Sequence, residues 1–463
     1  VHETETSILR DRSHRAAIVA LAAVLALDGA DRTALGALAP ALKAEFGIGN
    51  GAIGLLASAF AIVGALAIIP IGILTDRARR ITILVVCIGI WCVAMGVAAA
   101  ATSFAVLFVA RISLGVLSAA GGPPITSIVG DIFPADVRGR VLGWVKSGEL
   151  VGAGAGFLVA GVVVWALSWR AVFVALALLG VTVAWMVARL SEPRRGGEND
   201  QLVSHDPRSA GAPTELRELV EEAGVESDPN LVLEGDQSAL PLRSAMSYVF
   251  HVRTVVMIVG ASALGDVFFT ALQVFGVLFL VDQFHISASE ASILIPLVGV
   301  GGFVGVVVGG RLGDTVLDRG LLTGRLHIGA WSYLAASVVM IPVFVTSSLA
   351  VALPFLVVAG ALLTAPIAPL EAARLDVVHP QLRGRAESAR MIARVAAQAV
   401  APLLFGVLSN TLGGGGARGL QLAFLVLLPL LAASSVLLLL ATRHYPQEVA
   451  AVQESDLEEP DDA

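Results

Sequence analysis

Twelve stretches of this chain are each apolar over about the length that crosses a lipid bilayer, and no other property limits its fold so severely. They run approximately 16–38, 50–74, 81–101, 105–130, 139–164, 170–190, 253–281, 288–312, 326–346, 349–372, 385–409 and 418–441. A helix needs roughly 20 apolar residues to span the hydrocarbon. In lipid every backbone polar group must be satisfied within the segment, so such stretches are helices. The composition agrees: 56% of the 463 residues are hydrophobic and 14% charged, where a soluble domain carries about 25% charged.

Basic residues fall in alternate connections. One set holds Arg10, Arg12 and Arg15; Arg77, Arg79 and Arg80; Arg138 and Arg140; Arg194 and Arg195; Arg319 and Arg325; Arg383 and Arg385; and Arg443. The other set offers only Lys43, Arg170 and Arg418. Positive loops stay on the cytoplasmic side, so both termini and the loop 191–252 are expected there, in a multi-pass protein of a bacterial plasma membrane. The polar segment 1–15 lacks the pattern of a secretory leader. The expected organisation is a cytoplasmic segment 1–15, six helices in 16–190, the loop 191–252, six helices in 253–442 and an acidic tail 443–463. Within the loop, Leu216, Leu219 and Val220 fall at helical spacing after Thr214, so either a short amphipathic helix or a linker fits.

The two halves repeat. GILTDRARR follows span 2 and GRLGDTVLDRG follows span 8, each placing a Gly four residues before an Asp: Gly72 with Asp76, Gly310 with Asp314. Asp131 precedes Arg138-Gly-Arg140 by seven after span 4, and Asp376 precedes Arg383-Gly-Arg385 by seven after span 10. Two landmarks recurring in the same order point to duplicated halves in parallel orientation. The expected fold is therefore an all-α membrane protein of two pseudo-symmetric six-helix bundles.

Span 1 carries LALDGADRT at its centre. A charged side chain near a helix midpoint costs roughly 2.5–3.5 kcal/mol to insert, so Asp28, Asp31 and Arg32 need a partner or a task. Their i,i+3 and i,i+4 spacings allow one shared face. Two readings stay open: an Asp–Arg pair that fixes helix packing, or an aspartate that exchanges a proton beside an arginine that binds an anionic head group. Lys146 and Glu149 in span 5 can neutralise each other, or Glu149 can serve as a further proton site. In the second half Asp266, Glu371, Arg374, Glu387, Arg390 and Arg394 carry charge in spans 7, 10 and 11, with a structural reading preferred for these. Glycines crowd spans 5 and 8, as close helix packing requires.

These motifs resemble those of the major facilitator superfamily. GILTDRARR is similar to its signature loop, and LFVARISLGVLSAA in span 4 to its second motif, with Arg111 as the intramembrane arginine. Asp31-Arg32, Thr75-Asp76-Arg77, Arg111 to Asp131 and the Ala-Pro-Ile stretch 365–367 resemble Spinster-like lysolipid transporters in particular. The glutamate those proteins carry in span 4 falls on Ser118 here. The resemblance implies a secondary transporter working by alternating access, driven by a proton gradient, with a lysophospholipid-like amphiphile as cargo. Asp31 is then a proton-coupling candidate, joined by its neighbour Asp28 and by Glu149, which has no equivalent in the Spinster-like pattern but is the local substitute for the missing span-4 carboxylate; Arg32, Arg111, Ser118 and Glu371 are the expected cargo contacts. Asp76 with Arg77, Arg80, Arg138 and Arg140 is then expected to latch the cytoplasmic side, with Asp314, Arg383 and Arg385 as the pseudo-symmetric counterpart.

Span 5 lacks the Gly-Pro core of drug–proton antiporters, which counts against drug efflux; a carrier of drugs or small organic anions is the alternative reading and a non-transporting membrane sensor the second. Scattered histidines give no metal cluster, no glycine-rich phosphate loop follows a strand, and no nucleophile–base set points to an enzyme. Neither a cofactor nor nucleic acid is expected as a partner. The lipid bilayer is, around a protein acting as a monomer.

Overall fold

The computed structural model describes residues 12–120, 122–133, 135–193, 219–220, 224–229, 231–233, 242–379 and 382–457, without side chains at 12–13, 76, 116–120, 135–140, 242–243, 245, 384–385 and 456–457. Among these residues the chain is helical almost throughout. The first half comprises α1 (Arg12–Phe46), α2 (Asn50–Arg77), α3 (Arg80–Ala99), α4 (Phe104–Ala120), α5 (Pro123–Ile132), α6 (Ala135–Ala166) and α7 (Trp169–Ala188). A short α8 (Leu242–His251) leads to α9 (Arg253–Phe284), α10 (Ala288–Asp318), α11 (Gly324–Val345), α12 (Leu349–Thr364), α13 (Ile367–Asp376), α14 (Arg383–Gly413) and α15 (Ala417–Ala441), and α16 (Tyr445–Leu457) ends the described chain. Ten of the helical segments are long and apolar enough to cross a membrane. The charged α1 and the interrupted α4–α5 complete the twelve spans expected from the sequence.

Spans 4 and 10 are each two helices rather than one, which corrects the unbroken stretches 105–130 and 349–372. The first restarts at Pro123-Pro124 after Gly122, and the second at Ile367 after Pro366. Proline has no N–H to donate and its ring crowds the preceding turn, so the hydrogen-bond ladder ends there. Next to the second break, Thr364 ties α12 to α10 by donating to the carbonyl of Gly302 at 2.7 Å, and it also donates to that of Gly360 at 3.0 Å. Span 1 also runs well beyond the expected 16–38, carrying Pro40 inside α1.

Large apolar side chains point outward along the spans, among them Leu66, Ile69, Val93, Val109, Leu178 and Trp165. In water such a surface would aggregate; in a bilayer it is the solvated face. The chain divides into two compact units that do not follow sequence order. The first is Val1–His205, Ala271–Pro296 and Ala399–Leu420; the second is Asp206–Thr270, Leu297–Gln398 and Gln421–Ala463.

In the first unit, small residues bring α1 and α6 together. A Cβ on Gly148 would lie 2.2 Å from the Ala22 carbonyl oxygen, and one on Gly152 2.0 Å from that of Ala26. One on Gly156 would meet the Thr33 hydroxyl at 2.4 Å. Here glycine is required by close approach, and the interface rests on backbone contact. Elsewhere in this unit Asn50, fully buried at the start of α2, donates to the Ser409 hydroxyl at 2.9 Å and the Gly415 carbonyl at 3.0 Å. The second unit has a parallel seam. Gly301, Gly305 and Gly309 of α10 would bring a Cβ within 2.3, 2.1 and 2.1 Å of the carbonyl oxygens of Val357, Ala361 and Ala365. Its apolar centre holds Phe268, Phe344 and Phe424, the last two stacked at 4.7 Å.

Candidate functional site

The α1–α6 seam determines what stands beside the charges of span 1. Asp28 and Arg32, one turn apart, pair at 2.9 Å. The Asp28 side chain is 6% exposed and that of Arg32 32%, so the pair is buried at its acid and open at its guanidinium. Glu149, carried on α6 next to Gly148, acts electrostatically on both. Lys146 is exposed and forms no ion pair with Glu149 among the described residues, so mutual neutralisation within α6 does not occur.

Asp31 faces elsewhere. It is 1% exposed and bonded to Arg111 of α4, itself 1% exposed, with the Trp91 indole N–H donating to its second oxygen at 3.3 Å. The Phe60 ring lies under both guanidiniums, 5.9 Å from Arg32 and 5.3 Å from Arg111. Three helices thus hold a closed ion pair, while α1 and α6 hold a half-open one. Arg111 and Arg32, both expected at cargo, therefore stand in different surroundings: one sealed, one accessible.

The terminus-side ends of the spans carry a second kind of site. Arg80, at the start of α3, is 1% exposed and binds Asp131 at the end of span 4, Ser127 at 2.8 Å and Glu192 at 3.0 Å. Glu192 also accepts the backbone N–H groups of Arg80 and Ile81 at 3.0 and 2.9 Å. Burial alone would raise its carboxyl, but the hydrogen bonds from Ile81 and Arg80 outweigh that and hold it below the usual glutamate range. In the second unit Arg325, at the start of α11, binds Asp376 at 2.6 Å, and the Tyr445 hydroxyl donates to the same carboxylate oxygen at 2.6 Å. The Arg–Asp separation is 51 residues in both halves.

Of the residues expected in the latch, Arg80 belongs to one of these triads. Arg80 bonds to Asp131 and Glu192. Arg77 and Asp314 are exposed, Asp314 acts electrostatically on Arg325, and Arg383 donates to the Leu375 carbonyl at 3.3 Å. An arginine at a helix start meets a carboxylate at a neighbouring helix end because both lie at one level. The side chains of Asp76, Ser118, Arg138, Arg140 and Arg385, and most of the segment around Leu216, lie outside the described residues. Glu371, expected at cargo, pairs with Arg374 at 3.0 Å. Trp91, Phe60, Glu192 and Tyr445 escaped sequence reasoning. The 51-residue spacing common to the two halves was the one signal that could have exposed the two Arg–Asp pairs.

The sequence pattern of the Major Facilitator Superfamily matches residues 21–373 and, overlapping, 275–459. The chain is 24% identical over 309 residues to the probable galactarate/D-glucarate transporter of Bacillus subtilis, covering 64% of each chain. It is 26% identical over 301 residues to the D-galactonate transporter of Escherichia coli, covering 64% of this chain and 65% of that one. The matches thus span just under two thirds of these relatives' length. Protein spinster of Drosophila melanogaster is 26% identical over 187 residues, 40% of this chain and 31% of its own. A crystal structure of a bacterial homologue of the human lysosomal transporter Spinster, inward-facing and occupied, superposes with a TM-score of 0.77 at 20% identity, over 95% of this chain and 98% of that one. The twelve helical spans, the repeated halves and a pattern match running almost from end to end place the chain in the Major Facilitator Superfamily, a family of membrane transporters and not of enzymes.

Proposed function

We propose that the protein is a proton-coupled carrier of an organic anion, with Arg32 receiving the anion's carboxylate or phosphate. The observation that carries this reading is the contrast within span 1. Asp31 and Arg111 cancel in a sealed pair, whereas Arg32 remains one-third accessible and faces two acids, Asp28 and Glu149. A guanidinium cannot shed its proton, and its planar fork suits a carboxylate or phosphate. An anion arriving on Arg32 displaces Asp28, and two carboxylates left sharing one cation bring a proton in as the balancing charge. Asp31 then acts as the fixed counter-ion of Arg111, and Asp28 with Glu149 as the exchanging pair. The carboxylate-bearing sugars in the names of the two bacterial relatives support the anionic class. The likeness to Spinster-like proteins supports an anionic amphiphile such as a lysophospholipid. The arginine-rich loops and both termini face the cytoplasm of a bacterial plasma membrane.

Uptake into proteoliposomes under an inward pH gradient tests this, with D-glucarate in one arm and lysophosphatidylglycerol in the other. One of the two accumulates with wild type, Arg32→Gln abolishes accumulation, and Asp28→Asn reduces it to equilibration without concentration. Accumulation by Asp28→Asn equal to that of wild type removes this residue from coupling. Failure of both anions to move rejects the carrier reading for these classes.

A further inference from the structure

The second unit contains its own charge cluster, built from α9, α11, α13 and α14. Glu387 is bound by Arg374 at 2.7 Å and by the Nε of Arg390 at 2.9 Å, and Glu371 lies 3.0 Å from Arg374 and 3.8 Å from Arg390. Two arginines and two glutamates therefore neutralise one another at contact distance. Asp266 of α9 and Arg394 of α14 remain. Asp266 acts electrostatically on Arg394 and Arg390, and Tyr333 of α11 stands beside it. Arg394, half-buried one turn beyond Arg390, makes no ion pair within 4.0 Å among the described residues. It is the cluster's one guanidinium without a carboxylate in contact. A permanently charged group inside a membrane span with no carboxylate within 4.0 Å has donors to offer.

We propose that Arg394 is an anion-binding residue of the second unit, taking a carboxylate or phosphate oxygen of the cargo, with Asp266 as the charge that opposes it. This rests on the organic-anion reading above. Arg374 and Arg390 are committed to glutamates and serve as scaffold, holding α13 against α14. Asp266 sets the affinity: it stabilises the empty Arg394 and repels the incoming anion, so binding is reversible. A structural role for the pair predicts that removing either member does the same harm. A binding role predicts opposite effects, because one change removes the attraction and the other the repulsion.

The experiment is equilibrium binding of D-glucarate and of lysophosphatidylglycerol to the full chain in detergent, with thermal unfolding recorded alongside. Arg394→Gln is expected to weaken binding of the accepted anion about tenfold or more, Arg394→Lys less, and Asp266→Asn to tighten it several-fold. Arg390→Gln lowers the unfolding temperature more than it changes affinity. The proposal is overturned if Arg394→Gln binds like wild type while Arg32→Gln does not; the organic-anion reading then stands and Arg394 is scaffold. It is also overturned if Asp266→Asn weakens binding as much as Arg394→Gln does. Wild type binding neither anion rejects the organic-anion reading itself, and this inference with it.

Discussion

At the scale of single residues, Arg32 and Arg111 show how burial separates two arginines that sequence treats alike. Arg111 is enclosed with Asp31 and Trp91, and removing it strands a carboxylate with no route to water. Breaking a buried pair by deleting one partner costs about 3–5 kcal/mol. Arg111→Met should therefore lower the unfolding temperature in detergent sharply; Arg32→Met, whose buried partner Asp28 is the acid proposed to take up a proton, should lower it less and abolish anion binding. Equal destabilisation by the two would show that the Asp28–Arg32 pair is as structural as its neighbour. Sequence spacing allowed Asp28, Asp31 and Arg32 one shared face, whereas Asp31 turns to Arg111 and Trp91 while Asp28 stays with Arg32. Spacing could not tell which acid faced which helix, since the choice depends on Phe60, Trp91 and Glu149, each contributed by a different span.

At the scale of elements, the α1–α6 seam is tight where glycines of either helix meet the opposite backbone: Gly29 on α1, and Gly148, Gly152 and Gly156 on α6. Gly152→Ala would put a methyl group 2.0 Å from a backbone oxygen, whereas a Cβ on Gly154, two positions on, meets nothing within 4 Å. Overpacking of this kind costs about 1–3 kcal/mol, so Gly152→Ala should lower thermal stability measurably and Gly154→Ala should not. The abundance of glycine in span 5 was plain in the sequence, but which glycines face α1 was not. The terminal helix α16 is a different kind of element, held by polar contacts. Glu448 accepts the Thr254 backbone N–H at 3.0 Å at the start of α9, and the Ser455 hydroxyl accepts from the Leu233 backbone at 2.9 Å. Burial raises the Glu448 carboxyl above the ordinary glutamate range, against the opposing hydrogen bonds from Thr254. A carboxyl raised on docking favours the docked state while protonated, so its contribution is complete below the ordinary glutamate pKa and fades as pH rises through the raised value. Amide exchange of residues 445–457, corrected for intrinsic rates, should then quicken with rising pH in wild type and lose that dependence in Glu448→Gln. An unchanged dependence would mean that another group controls docking.

At the scale of the whole molecule, the duplicated halves were legible because a repeat leaves marks in sequence: Asp76 and Asp314, Asp131 and Asp376, glycine-rich spans. The helix breaks at Pro123 and Pro366 were visible as residues yet hidden inside continuous apolar stretches. The third member of each triad was not legible, because Glu192 follows α7 and Tyr445 follows α15 with no shared motif around them. Deleting residues 445–457 should loosen the second unit alone: α11 and α13 gain faster amide exchange, and α3 and α5 keep theirs. Exchange unchanged in α11 and α13 would show that Arg325 and Asp376 hold without the tyrosine. The Tyr445 contact also sets an order of assembly. Domains form as the chain leaves the ribosome, amino-terminal parts first, so the first half can close its Arg80 junction once residue 192 has emerged. The second half must wait until Tyr445 has followed α15 out of the ribosome, which leaves Arg325 and Asp376 to hold α11 to α13 alone until then.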